Sequence, residues 1–388
     1  MNRPFTAIGH RCLAGILLIA LAGCVTTTPP VDPHDAARAA LDEGRLTHVI
    51  GHLQPLASKG EASVEEMHML SDAYMRRGDG AAALATLEAA RPLESPGSEA
   101  STLRKMGEAA ALAGKYAIAI IHLRRANAHE PQAASLRLLT RLLIGNDDIP
   151  AAIETGQEAI RMELTHPEGF VLLGTAFALE GIESQALTAV RRAEALGADG
   201  PETLVALGNI HLAFDRVEDA IKRYEGAVKR APNHVEAHQK LGLARTLQGD
   251  AAGAIQALQR ARSLAPDNIE ILNNLGVALS ELRLHGEAAE AFAEAHRLAP
   301  DAAVLAFNRA DALALDGRPG EAHALLQSTS FPPEQQERAT SLAARMEAIH
   351  QASKSACSPP PKDAPPTRRA SRSPLDDRIL KAAIARCR

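Results

Sequence analysis

Three consecutive stretches carry one pattern: PETLVALGNIHLAFDRVEDAIKRYEGAVKRAPN (201–233), VEAHQKLGLARTLQGDAAGAIQALQRARSLAPD (235–267) and IEILNNLGVALSELRLHGEAAEAFAEAHRLAPD (269–301). Leu-Gly recurs at 207–208, 241–242 and 275–276. Ala recurs at 220, 254 and 288, and again at 227, 261 and 295. A larger apolar residue stands at Tyr224, Leu258 and Phe292, and Pro at 232, 266 and 300, so that every interval is 34 residues. A fixed period of this length marks stacked supersecondary units rather than one globular core. The spacing reads as two helices per unit joined by a short turn such as Phe214-Asp215-Arg216 or Gln248-Gly249-Asp250. Gly208 and Ala220 are small enough for those helices to approach closely, with Leu207 and Tyr224 filling the space beside them. Pro232 closes the unit, because proline lacks the N–H and clashes with the preceding turn. One pair cannot bury its apolar face alone, whereas stacked pairs can.

These positions resemble the tetratricopeptide repeat. Weaker copies start near Val64, Ala100, Ala133, Pro167 and Ala303, so the resemblance covers about 64–336, roughly eight units. It implies an all-α superhelical solenoid of helix pairs. Residues 35–63 read as a degenerate additional pair, and 337–353, after Pro332-Pro333, as a capping helix. In this repeat family certain first-helix positions line a concave groove. Carried over, they give Glu202, Val205 and Asn209; Glu236, Gln239 and Lys240; Glu270, Asn273 and Asn274; and Phe307, Asn308 and Asp311. The resemblance thus implies a peptide-binding groove at Asn209, Gln239, Asn273, Asn274, Phe307 and Asn308, since side-chain amides both donate to and accept from a peptide backbone. The three glutamates suit a basic or neutral segment better than a carboxylate.

The N-terminus sets the compartment. Arg3 and Arg11 precede a ten-residue apolar or small stretch, Leu13–Ala22. A bilayer core needs about 20 residues of helix, so this reads as the core of a signal peptide, residues 1–23. Leu21-Ala22-Gly23-Cys24 resembles the bacterial lipobox, which implies cleavage before Cys24 and acylation of its thiol. Val25, where that family uses Asp for inner-membrane retention, implies the outer membrane, with the chain on its periplasmic face. Residues 24–34 then form a linker.

The C-terminus changes character at residue 354. Residues 354–373 are Pro-rich and basic and read as a disordered linker, and 374–388 as a short amphipathic helix. Ser373 can cap that helix, Pro374 suits its first position, and Leu375, Ile379, Ala383 and Cys387 recur every four residues. The helix reads either as a docking element for the acidic array or a partner, or as a frayed tail. An oxidising periplasm would permit Cys357 to pair with Cys387; spacing alone does not decide it.

Composition excludes several classes. The chain carries 42 Lys+Arg against 47 Asp+Glu, a net charge of −5. From Ser353 onward nine basic residues face three acidic ones, so the body of the array is acidic, which argues against nucleic acid as a partner. His234 and His238 share a helix face, but Glu236 is not directly after the first His as the zinc-protease motif requires. There is no Gly-rich phosphate loop, no Gly-x-Ser-x-Gly and no Cys-x-x-Cys, so no catalytic residue, metal site or cofactor is expected. Lipobox and repeats together, with NNLGVALSELRLHGEAAEAF (273–292) and AFNRADALALDGRPGEAHALLQ (306–327), resemble the TadD family of Flp/Tad pilus assembly lipoproteins. That resemblance implies a scaffold, not an enzyme, which assists a pilus secretin and other Tad components. The alternative is a periplasmic adaptor for peptidoglycan enzymes or envelope proteases.

Overall fold

The computed structural model describes residues 33–93, 97, 99–357 and 373–387. The signal segment 1–23, Cys24 and most of the 24–34 linker lie outside the described residues. Among the described residues there are twenty α-helices, one 3-10 turn and no strand. No helix among them is long and apolar enough to cross a membrane.

The chain divides into two compact units, Met1–Ser98 and Glu99–Arg388. The first holds α1 (Pro33–Asp42), α2 (Leu46–Lys59), α3 (Val64–Arg77) and α4 (Gly80–Ala90). Here the expected degenerate pair is α1 and α2, and Ser63 and Glu66 form a reciprocal capping box that starts α3.

The second unit holds α5 (Glu99–Leu112), α6 (Tyr116–His129), α7 (Ala133–Gly145), α8 (Ile149–Met162), α9 (Pro167–Leu179), α10 (Glu183–Ala195), α11 (Pro201–Leu212) and α12 (Val217–Arg230). It continues with α13 (Val235–Gln248), α14 (Ala251–Leu264), α15 (Ile269–Glu281), α16 (His285–Leu298), α17 (Ala303–Leu315), α18 (Pro319–Ser328), α19 (Pro333–Cys357) and α20 (Pro374–Cys387). Odd-numbered helices up to α17 are the first of each pair and even-numbered ones the second. Within this unit the second helix of each pair from α6 to α16 also packs on the first helix of the next pair.

The small residues sit where the helices meet. Ala220, Ala254, Ala288, Ala227, Ala261 and Ala295 are all fully buried. Within a pair, the glycine of the first helix faces the large residue of the second: Gly107 meets Leu123, Gly208 Tyr224, Gly242 Leu258 and Gly276 Phe292. A Cβ at Gly276 would stand 2.6 Å from the Phe292 ring, so only hydrogen fits. Gly174 is looser, its nearest neighbour being Ile210 at 3.2 Å.

The turn between paired helices repeats as well. One residue per turn adopts left-handed backbone: Gly181, Asp215, Gly249, Arg283 and Gly317 lie in register, 34 residues apart. Glycine accepts this conformation without steric penalty, yet Asp215 (φ 54°) and Arg283 (φ 60°) are held in it by the packed helices on either side. Ion pairs stitch successive pairs together, among them Arg124–Asp148 at 2.9 Å, Arg223–Glu194 at 2.6 Å and Arg262–Glu294 at 2.8 Å. Each is exposed enough to contribute only about 0–1 kcal/mol.

The C-terminal end departs from expectation. The capping helix α19 runs 25 residues, starting before residue 337 and continuing through Lys354–Cys357, which were expected to be disordered. Ser358-Pro359 follows, where proline disfavours further helix. Residues 358–372 lie outside the described residues. α20 forms, and it packs against both α17 and α19.

Candidate functional site

The expected groove residues fall on the first helices α11, α13, α15 and α17, and most already have partners. The Tyr224 hydroxyl donates to Asn209 Oδ1 at 2.8 Å, an intra-pair bond that fixes the buried tyrosine ring. Gln239, only 7% exposed, donates to Glu270 Oε2 at 2.7 Å and so ties α13 to α15. Asn308 Nδ2 donates to Asn273 Oδ1 at 2.9 Å and ties α17 to α15. Asn274 is half-buried beside it. Each amide carries both donors and an acceptor. The last bond uses the Asn308 amino group and the Asn273 carbonyl, and each amide has hydrogen-bonding capacity beyond it.

Phe307 and Val205 do not line the groove as free surface. Val205 is 3% exposed and Phe307 4%. Phe331, in the connection between α18 and α19, stacks on Phe307 with ring centroids 4.9 Å apart, and the Arg338 guanidinium lies 4.4 Å from the Phe307 centroid. The position rule assumed another first helix following in ordinary register. Here Phe331 folds back onto Phe307, and α19 brings a cation onto its ring.

Beside Asn308 a shallow cavity of about 320 Å³ opens between α15 and α17, bounded by Val277, Glu281, Asp311 and Leu315. Asp311 is an exposed residue on the cavity wall, yet neighbouring protein atoms crowd its carboxyl. Desolvation raises its pKa above the ordinary carboxylate value, against the pull of Arg338 and Arg345. A cationic side chain entering this cavity would relieve that strain on the charged form.

α20 is seated near this end. Ile379 and Ala383 are buried at 3% and 4%, and Ile379 joins the apolar cluster that runs from α14 to α19. Arg345 pairs with Asp376, and Arg386 pairs with Asp316 at 2.5 Å. Cys357 is disulfide-bonded; the side chain of Cys387, its expected partner, lies outside the described residues. Arg338, Arg345, Phe331 and Asp316 were not singled out from sequence. Their roles depend on helices up to 70 residues apart, and no local pattern marks them.

The histidine pair has structural work. His234 Nδ1 accepts from the Ala237 amide at 3.2 Å as the N-cap of α13, and His238 Nε2 lies 2.9 Å from the Pro232 carbonyl, to which it donates. Among the described residues no group of three or more His, Cys, Asp or Glu side chains could hold a metal.

Comparison with known proteins agrees with this geometry. Residues 205–269 and 273–334 match the tetratricopeptide repeat family. A search of curated proteins finds no match. Among solved structures, the chain is similar to the crystal structure of the APC/C hetero-tetramer Cut9-Hcn1, at 15% identity and a TM-score of 0.54. That likeness covers 72% of this chain and 55% of the other, so the chain spans about half of that relative. It is also similar to a tetratricopeptide repeat protein from Parabacteroides merdae ATCC 43184, at 14% identity and a TM-score of 0.52, over 63% of this chain and 97% of that one. At such identities the likeness speaks to fold alone. Residues 205–269 and 273–334 thus carry tetratricopeptide repeats, and the described residues fold as a helical solenoid of the tetratricopeptide-repeat type, a fold that generally serves as a non-catalytic scaffold for protein–protein interaction.

Proposed function

We propose that this protein is a lipid-anchored scaffold on the periplasmic face of the bacterial outer membrane. It binds protein partners through the first-helix face of the array and assists assembly of an Flp/Tad pilus, its secretin above all. The lipobox ending in Cys24 supports the anchor, and Val25 supports the outer membrane. The stretches at 273–292 and 306–327, with their likeness to TadD-type lipoproteins, support the pilus role.

The observation that carries the binding surface is the Asn308–Asn273 bond beside the Asp311 cavity. Two side-chain amides, each able to donate and to accept, sit there next to the Asp311 carboxylate. The fitting ligand is an extended or helical segment with an exposed peptide unit and a nearby Lys or Arg.

Two measurements test the reading. Cells expressing Cys24→Ser should lose radiolabelled palmitate incorporation and release the protein from outer-membrane fractions; retention of label would refute the anchor. Crosslinking followed by capture from wild-type outer membranes should recover a secretin with Tad components. The variant Asn273→Ala/Asn274→Ala/Asn308→Ala should lose them. Recovery of cell-wall enzymes or proteases instead would move the scaffold to the adaptor role.

A further inference from the structure

The seat of α20 defines a second recognition surface, distinct from the Asn273–Asn308 pair. α20 buries Ile379 and Ala383, four residues apart, against the array, and the partly buried Leu380 packs beside them. Its first turn is held by Arg345 on α19, through Asp376, and its last turn by Asp316 at the end of α17, through Arg386. Between these two pins the main chains meet: a Cβ on Gly317 would stand 2.6 Å from the Ala382 carbonyl oxygen. Arg345 and Asp316 thus mark a polarity along the surface, with a cation to receive a helix N-terminal turn and an anion to receive its C-terminal turn. The occupant's own end charges, Asp376 in the first turn and Arg386 in the last, complement its helix dipole, and Arg345 and Asp316 are counter-ions to them.

The occupant does not use all of the apolar surface available. Leu375, on the α20 stripe, stays 42% exposed. A Cβ on Gly286 would stand 3.3 Å from Asp316 Oδ1, so the start of α16 lies beside the C-terminal pin, and the nearby Leu282 and Leu284 are 45% and 40% exposed. Exposed leucines beside a helix that fully buries Ile379 and Ala383 alone and half-buries Leu380 are an incomplete interface.

We propose that α17 and α19 form a helix-binding site which α20 fills in cis, and that its trans ligand is an amphipathic helix of a partner protein. That ligand carries an Asp or Glu in its first turn, apolar side chains at i and i+4, and an Arg or Lys in its last turn. A longer helix of this kind covers Leu282 and Leu284 as well as the stripe that α20 buries, and so displaces it. The proposal rests on reading the first-helix side of the array as the partner-binding side.

The test uses the full chain and a fluorescein-labelled peptide with the sequence of residues 373–386, in a thiol reductant because Cys357 is disulfide-bonded. Ile379→Asp removes a buried anchor from α20 and leaves the acceptor untouched. Burial of one such side chain is worth enough for the unseated chain to bind the peptide about tenfold more tightly, or better, than the intact chain does. Adding Arg345→Glu should abolish that binding, and a peptide carrying Asp376→Arg should restore part of it. Asp376→Arg in the chain, which keeps Ile379, is the second unseating variant, and far-UV circular dichroism confirms that the array stays helical. Equal binding by intact and unseated chains overturns the proposal. So does no binding to either unseated chain while helicity is retained, or indifference to Arg345→Glu. If peptide binding fails while the partner is still captured through Asn273, Asn274 and Asn308, only the helix seat falls; if both fail, the scaffold reading falls with it.

Discussion

Replacing Gly208 by alanine tests the packing rule that builds every pair. A Cβ at this position would stand 2.8 Å from Tyr224 Cδ1 and 2.9 Å from Cζ, with Cε1 nearer still. Real carbon contacts need about 3.5 Å or more. The ring cannot simply swing away. Tyr224 is fully buried, and its hydroxyl is tied to Asn209 Oδ1 at 2.8 Å. Overpacking of this kind costs about 1–3 kcal/mol, and breaking the hydroxyl bond costs about 1 kcal/mol more. Against this, Gly→Ala inside a helix gains about 1 kcal/mol. The net expectation for Gly208→Ala is a loss of about 1–3 kcal/mol. Gly226→Ala is the matched control in the partner helix α12. Its Cβ would meet only Leu204 Cδ1, at 3.3 Å, the flexible end of a side chain, so the propensity gain should dominate and stability should hold or rise. Urea unfolding followed by circular dichroism gives the midpoint and slope for each variant. Gly208→Ala should lower the midpoint and Gly226→Ala should not. If Gly208→Ala is as stable as Gly226→Ala, close approach at the Leu-Gly position is not what the repeat requires.

Three further outcomes are expected. His211 is 7% exposed with no hydrogen-bond partner for either ring nitrogen, and burial lowers its pKa below 6.5 against the opposing pull of Asp219. The unfolded chain therefore takes up the proton first as pH falls below about 6.5, so His211's contribution to stability is full above that value and declines beneath it; His211→Leu should reduce the decline, leaving the share of the similarly lowered His285, and raise the urea midpoint at pH 6. Arg283 holds left-handed backbone at φ 60°, which costs a non-glycine residue about 1–2 kcal/mol; Arg283→Gly should be neutral to stabilising by up to about 1 kcal/mol, and a clear loss of stability would refute the strain. At Asp376 desolvation raises the pKa, but hydrogen bonds from Ser373 and Arg345 outweigh it and leave the carboxyl below its ordinary value of 3.8. The seating of α20 should therefore persist above that value and weaken as pH falls below it, read as faster exchange of the Ile379 and Ala383 amides in acid.

The fold was legible because its determinants are periodic. Leu-Gly, two alanines, one large residue and a proline at 34-residue spacing specify two helices, their contact and their stop. The turns were only half legible. Gly249 announces a left-handed residue, whereas Asp215 and Arg283 occupy the same backbone position under compulsion from the helices around them, which leaves no trace in composition. The groove was read by position within the repeat, and that rule does not see lateral bonding. It placed Asn273 and Asn308 correctly on adjacent first helices but not their mutual hydrogen bond. It also took Phe307 as groove surface, because the covering residues Phe331 and Arg338 come from outside the repeat pattern. The C-terminal helix was legible from its cap and its four-residue stripe. Its seat was not, since Arg345–Asp376 and Arg386–Asp316 join residues 31 and 70 positions apart.

The most direct test of the central claim, that partners bind the first-helix face at α15 and α17, is site-specific photo-crosslinking in living cells. A photoreactive amino acid is placed at Asn274 on α15 and, separately, at the exposed Glu290 on the second helix α16. The account predicts one discrete partner adduct from position 274, identified by mass spectrometry as a secretin or Tad component, and none from position 290. An adduct from position 290 with none from position 274 would contradict it.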